Sequence, residues 1–265
     1  MFIDTHCHLD FASVCAELPA ILRRARNAGV DRFVVPGVQP EGWGGIKALA
    51  EHDDRIMPAF GVHPMLAHRL DDAARELLSS CLDGAVAVGE IGLDYTVREP
   101  SRQVQQEAFR SQLRMAVARG LPVLVHCRGG FADLLRIMME EHVELVGGFM
   151  HAFSGSPEMA RECIRLGFYI SVCGTVTYCN AVRPLRVCRE IPLDRLVLET
   201  DTPDLSPEPF RGRPNEPAYL LETARALAAL KGVPLAQVAE ITTVNALKAF
   251  NMTKENVSLM ETNDG

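Results

Sequence analysis

The stretch Pro122-Val-Leu-Val-His-Cys-Arg128, entered from the helical pattern Gln103 to Arg119 across Gly120, decides the fold. Its apolar residues follow one another without polar alternation, which marks a strand buried on both faces. Runs of the same kind recur at Phe2 to Thr5, Arg32 to Val38, Ile56 to Val62, Val86 to Ile91, Gly147 to Ala152, Phe168 to Gly174 and Leu196 to Thr200. They repeat at roughly 25 to 30 residues, the length of a strand plus a helix. Helical patterns such as Glu17 to Ala28 and Pro157 to Leu166 fill the gaps, and Gly29, Gly120 and Gly167 close them before the next strand. Eight such units in 265 residues predict an α/β chain folded as a single (β/α)8 TIM barrel. The barrel is expected over residues 1–252, followed by a polar tail, 253–265, that lacks an apolar period and carries no function.

The strand ends carry a second regularity. Asp4-Thr-His-Cys-His8 sets two imidazoles one residue apart, on one face of a strand, with Cys7 turned away. Two such histidines alone read equally well as a surface pair. Four more metal-competent side chains argue otherwise: Glu90 after Val86-Ala-Val-Gly, His126 in the opening stretch, His151 after Gly147-Gly-Phe-Met, and Asp201 after Leu196-Val-Leu-Glu-Thr. All six would stand at C-terminal ends of strands one, four, five, six and eight, where barrel active sites form, and only closure brings strands one and eight together.

Imidazole and carboxylate donors without thiolate suit zinc, manganese or magnesium. Six protein ligands are too many for one catalytic ion with an open position, so the pattern implies two divalent metal ions with Glu90 as the bridge. His63, in Val62-His-Pro64, ends the third run and should face the same mouth, as a substrate-phosphate contact or a structural hydrogen bond. Arg128 shares the face of His126, as a phosphate contact or a rim salt bridge. The single Trp43 is read as a stacking platform near the mouth or as the cap of a loop or helix start. His52, His68 and His142 sit in polar stretches and are expected at the surface.

The net charge of −7 should repel a polyanion, so any nucleic-acid contact must be local, with Arg128, Arg211 and Arg213 as a candidate patch. No apolar run approaches membrane-spanning length, and the first strand begins without a leader pattern; a cytoplasmic protein with no membrane contact and no stable protein partner is expected. The eight cysteines lack regular C-x-x-C spacing and read as reduced thiols.

The phrases Asp4-Thr-His-Cys-His8, Gly61-Val-His-Pro64, Gly89-Glu-Ile-Gly-Leu-Asp94, Val125-His-Cys-Arg128, His151-Ala-Phe-Ser-Gly-Ser156 and Glu199-Thr-Asp-Thr-Pro203 carry a resemblance that runs to about Phe250. The chain resembles the TatD family of metal-dependent deoxyribonucleases, within the amidohydrolase superfamily, and most of all its YjjV branch. The resemblance implies that His6, His8 and Asp201 hold one cation, that His126 and His151 hold the other, and that Glu90 bridges them. It implies hydrolysis of DNA phosphodiesters, with Asp201 accepting the proton of the attacking water and His63, Arg128 and Arg213 contacting substrate.

In Phe210-Arg-Gly-Arg-Pro-Asn-Glu-Pro217 the family commonly has Arg-Gly-Lys-Arg-Asn-Glu-Pro, whereas here Pro214 follows Arg213. A cationic side chain and a backbone donor are lost there. A dinuclear hydrolase of a small amide, lactone or phosphoester therefore stands as the alternative substrate class. A non-catalytic metal-stabilised binding module is a third reading, against which the complete donor set argues.

Overall fold

The computed structural model describes residues 1–252; the expected tail, 253–265, lies outside the described residues. Eight parallel strands pair in chain order: β1 (Phe2–Asp4), β2 (Val30–Pro36), β3 (Ile56–Phe60), β4 (Ala87–Asp94), β5 (Val123–Arg128), β6 (Gly148–Met150), β7 (Phe168–Val172) and β8 (Leu196–Leu198). The last strand returns to the first: Thr5 N–H donates to the Leu198 carbonyl (3.1 Å) and Asp201 N–H to that of His6 (2.9 Å). The Asp4 carboxylate reinforces the seam by accepting from Thr200 N–H at 2.9 Å. The result is the expected (β/α)8 barrel.

Alternation along the strands sends Ile3, Val34, Ala59, Ala87, Leu124, Phe149, Tyr169 and Val197 into one inner cluster. Ala246 and Leu247 of the helix Leu235–Ala249, with Phe250 just beyond it, cover this cluster where the strands begin. The opposite strand faces pack against the outer helices in a larger core. Each large aliphatic side chain fully buried there contributes about 1.5–3 kcal/mol of hydrophobic free energy.

Local devices then fix the strands and their ends. Gly120 closes the helix Arg102–Arg119 at φ 65°, where a side chain would be strained. Gly92 (φ 142°) lets β4 lie against β5, since a Cβ there would meet the His126 carbonyl oxygen at 2.0 Å. Two buried glutamines of the same helix pin strand ends: Gln105 accepts from Asp94 N–H (2.8 Å) and donates to its carbonyl (2.9 Å), and Gln112 does so for Val62 at 2.7 and 3.2 Å.

Three expectations need correction. β1 stops at Asp4, so His6 and His8 follow the strand rather than lie within it. Their alternation survives because Thr5 N–H bonds toward β8 and Cys7 N–H toward Val34 of β2 (3.0 Å), which keeps the segment extended between its neighbours. Glu90 lies inside β4, which continues to Asp94. Trp43 is neither a platform at the mouth nor a cap: it is buried within the helix Pro40–His52, and its indole N–H donates to the Gly61 carbonyl at 3.1 Å.

Candidate metal centre

Extended backbone on both sides of Cys7 turns its thiol toward the Val34 carbonyl and the two flanking imidazoles inward. The Nε2 atoms of His6 and His8 come to 3.3 Å from each other. Glu90 Oε2 lies 3.4 Å from the first and 3.8 Å from the second, and Asp201 Oδ1 lies 3.8 Å from each. A tetrahedral cation with bonds of about 2.1 Å needs donor atoms about 3.4 Å apart. These four atoms therefore outline a cation-sized hole.

Electrostatics favour filling it. Burial, then the neighbouring His6, lowers the His8 pKa to about 3, and burial with His151 beside it lowers that of His6. Lone pairs that resist protons remain available to a metal. Burial also raises Asp201 to about 7, whereas Glu90 is held well below the usual carboxylate range, because His63, His151 and His6 outweigh its burial.

The other Glu90 oxygen faces a second set. Its Oε1 lies 3.0 Å from His126 Nδ1, 3.5 Å from His63 Nε2 and 3.8 Å from His151 Nε2; His151 Nε2 is also 3.4 Å from Asp201 Oδ1. Distance alone would group His63 with Glu90 and His126 as ligands. Hydrogen bonding argues otherwise: Met65 N–H donates to His63 Nδ1 at 3.2 Å, so the neutral ring carries its proton on Nε2 and offers a donor, not a lone pair.

Two further carboxylates orient the imidazoles. Asp94 Oδ2 lies 3.1 Å from His126 Nε2, and Glu199 Oε2 3.1 Å from His151 Nδ1, while Glu199 Oε1 accepts from Ala152 N–H at 2.6 Å. Burial works against a proton on His151, but Glu199, Asp201 and Glu90 together raise its pKa to about 10, so a cation binding there must displace a proton. Neither Asp94 nor Glu199 was singled out from the sequence, although both lie in the family phrases as acids inside otherwise apolar, buried runs. Removing the charge that holds His151, as in Glu199→Gln, is expected to weaken cation binding about 10–100-fold. Equilibrium dialysis with zinc or manganese measures it, and unchanged affinity would deny Glu199 this role.

Over the donors opens a cavity of about 490 Å³ lined by Phe11, Val38, His63, Met65, Leu66, Asp94, Arg128 and Asp204 besides donors, with His6 buried beneath. Arg128 thus lines the cavity. Arg213 does not line the cavity; it is exposed, and its backbone is tied to Phe210 (3.1 Å) and to the Ser206 hydroxyl (2.5 Å). Arg211 stacks over the Tyr178 ring at 4.2 Å. What the loop supplies to the barrel is Asn215, whose amide donates to the carbonyls of Thr200 and Asp204, both at 2.8 Å, and so holds the segment around Asp201.

The family model described as TatD related DNase matches residues 3–251. The chain belongs to the TatD family. YabD of Bacillus subtilis, described as an uncharacterized metal-dependent hydrolase, is 40% identical over 95% of this TatD-family chain and 100% of its own length. YjjV of Escherichia coli, described in the same words, is 36% identical over 95% of this chain and 98% of its own. The crystal structure of YjjV matches the fold with a TM-score of 0.90 at 35% identity, covering 95% of this chain and 98% of that one. A TatD family hydrolase of Entamoeba histolytica, 21% identical with a TM-score of 0.86, shares the fold. Family membership and the converging donors make this TatD-family chain a metal-dependent hydrolase.

Proposed function

We propose that the chain hydrolyses phosphodiester bonds of DNA at a site for two divalent cations, zinc, manganese or magnesium. The observation that carries this reading is Glu90, a single buried carboxylate whose two oxygens face separate sets of imidazoles. His6, His8 and Asp201 would hold one cation, His126 and His151 the other, and Glu90 both. Such a pair supplies positive charge to the attacking and leaving oxygens of a displacement at phosphorus.

The protein's own groups do the rest. Asp201, raised to about 7 by burial, accepts the proton of the attacking water. The Arg128 guanidinium and the Nε2–H of His63 hold phosphate oxygens. Arg213, exposed outside the cavity wall, meets only a substrate that extends beyond it, as a DNA strand does. Free cysteines at all eight positions suit a reducing cytoplasm, and among the described residues no helix is long and apolar enough to cross a membrane.

The small cavity and the net charge of −7 favour the second reading, a small amide, lactone or phosphoester substrate. The deciding test is nucleotide release from end-labelled single-stranded DNA by metal-stripped protein re-dosed with magnesium, manganese or zinc. Restored cleavage that is missing from His6→Ala is expected. Two bound ions without cleavage would overturn the DNA reading in favour of the small-molecule one.

A further inference from the structure

The cavity has two unlike walls. β1 and β5 stand four strands apart in a ring of eight, so their ends face each other across the mouth. Arg128 ends β5 on one side. On the other, the segments after β1, β2 and β3 contribute Phe11, Val38, Met65 and Leu66. The Phe11 ring lies on that of His8, with centroids 4.6 Å apart and planes 12° from parallel. Met65 is 45% exposed, and the His63 ring that accepts its backbone N–H fixes the turn carrying it. His63 N–H in turn donates to the Val38 carbonyl at 2.9 Å, which joins the β2 and β3 parts of this wall.

We propose that this apolar wall seats one unpaired nucleobase of the substrate, beside the phosphodiester being cleaved, with the sugar-phosphate chain running toward Arg128. The inference rests on the DNA reading above. An aromatic face and a thioether suit the flat face of a base. Phe11, Val38, Met65 and Leu66 offer no charged group on this wall, so a flat neutral ring suits it better than a carboxylate or a second phosphate. A cavity of about 490 Å³ is of single-nucleotide scale, so a base held in a duplex must leave its stack to enter. Phe11, Val38 and Leu66 carry no hydrogen-bonding side-chain groups, so the wall grips a base without identifying it.

The test compares manganese-loaded protein on two end-labelled single-stranded oligonucleotides, one ordinary and one with abasic residues at its terminal positions. The wild type is expected to cleave the ordinary end about tenfold faster in kcat/KM, with little dependence on which base is present. In Phe11→Ala that ratio should collapse toward one, chiefly through KM; Met65→Ala, a milder change on an exposed turn, should move it the same way. Equilibrium dialysis of dAMP against deoxyribose 5-phosphate gives the same comparison without turnover. A wild-type ratio near one, or a ratio unchanged in both variants, overturns the base seat while leaving the nuclease standing. Failure to cleave either oligonucleotide overturns the DNA reading and the base seat with it.

Discussion

If the site holds the two cations proposed above, replacing Glu90 by glutamine is expected to remove one of them and to lower turnover about a thousandfold, or about 4 kcal/mol of transition-state stabilisation. The reason lies in the two-sidedness of the carboxylate. Oε2 faces His6 and His8 while Oε1 faces His126, His63 and His151. Glutamine fits the same space, but one of its two head atoms is an NH2 group, a donor that cannot ligate a cation. Whichever way the amide turns, one donor set loses its carboxylate oxygen and the other keeps only a neutral one.

Metal analysis of protein dialysed against excess manganese checks the stoichiometry, and hydrolysis of a phosphodiester substrate in the same samples checks the rate. A Glu90→Gln protein that still holds two cations per chain and turns over normally would refute the bridging role. The substitution should leave the barrel intact, because β4 is held by neighbours on both sides and by Gly92 against β5.

Much of this centre is legible in the sequence because parallel strands buried on both faces cannot alternate, and an acid or imidazole in such a run stands out. Glu90, His126 and His151 each interrupt an apolar stretch, Asp201 closely follows one, and the His6–His8 spacing survives even though β1 is only Phe2–Asp4. The supporting partners are harder to see. Glu199 bonds to Ala152 across 47 positions, and Gln112 to Val62 across 50, so the partner of each is not written near it in the sequence. Trp43 lies in a helix with several glycines, a composition that reads as a loop; burial against β3 and the Gly61 carbonyl overrides that weak local preference. The apolar wall of the cavity was invisible for the same reason: Phe11, Val38 and Met65 belong to three separate segments that only barrel closure brings to one side.

Asp201→Asn is expected to lower kcat by about a hundredfold to ten-thousandfold, the range of a lost general base, while cation occupancy falls much less. The separation of the two effects follows from geometry. Asp201 Oδ1 sits 3.8 Å from the Nε2 atoms of His6 and His8, at the longer edges of that donor set, whereas Glu90 Oε2 comes within 3.4 Å of His6. An asparagine carbonyl can occupy the Oδ1 position as a neutral donor, but it cannot take up a proton near neutral pH. The backbone should tolerate the exchange, since residue 201 has φ 62°, a left-handed conformation that asparagine adopts as readily as aspartate. Its N–H bond to the His6 carbonyl, which helps close the barrel, needs no side chain. Single-turnover rates at saturating manganese, paired with metal analysis, separate the two roles. Normal turnover with both cations bound would remove Asp201 as the proton acceptor, whereas parallel loss of metal and rate would make it a ligand first.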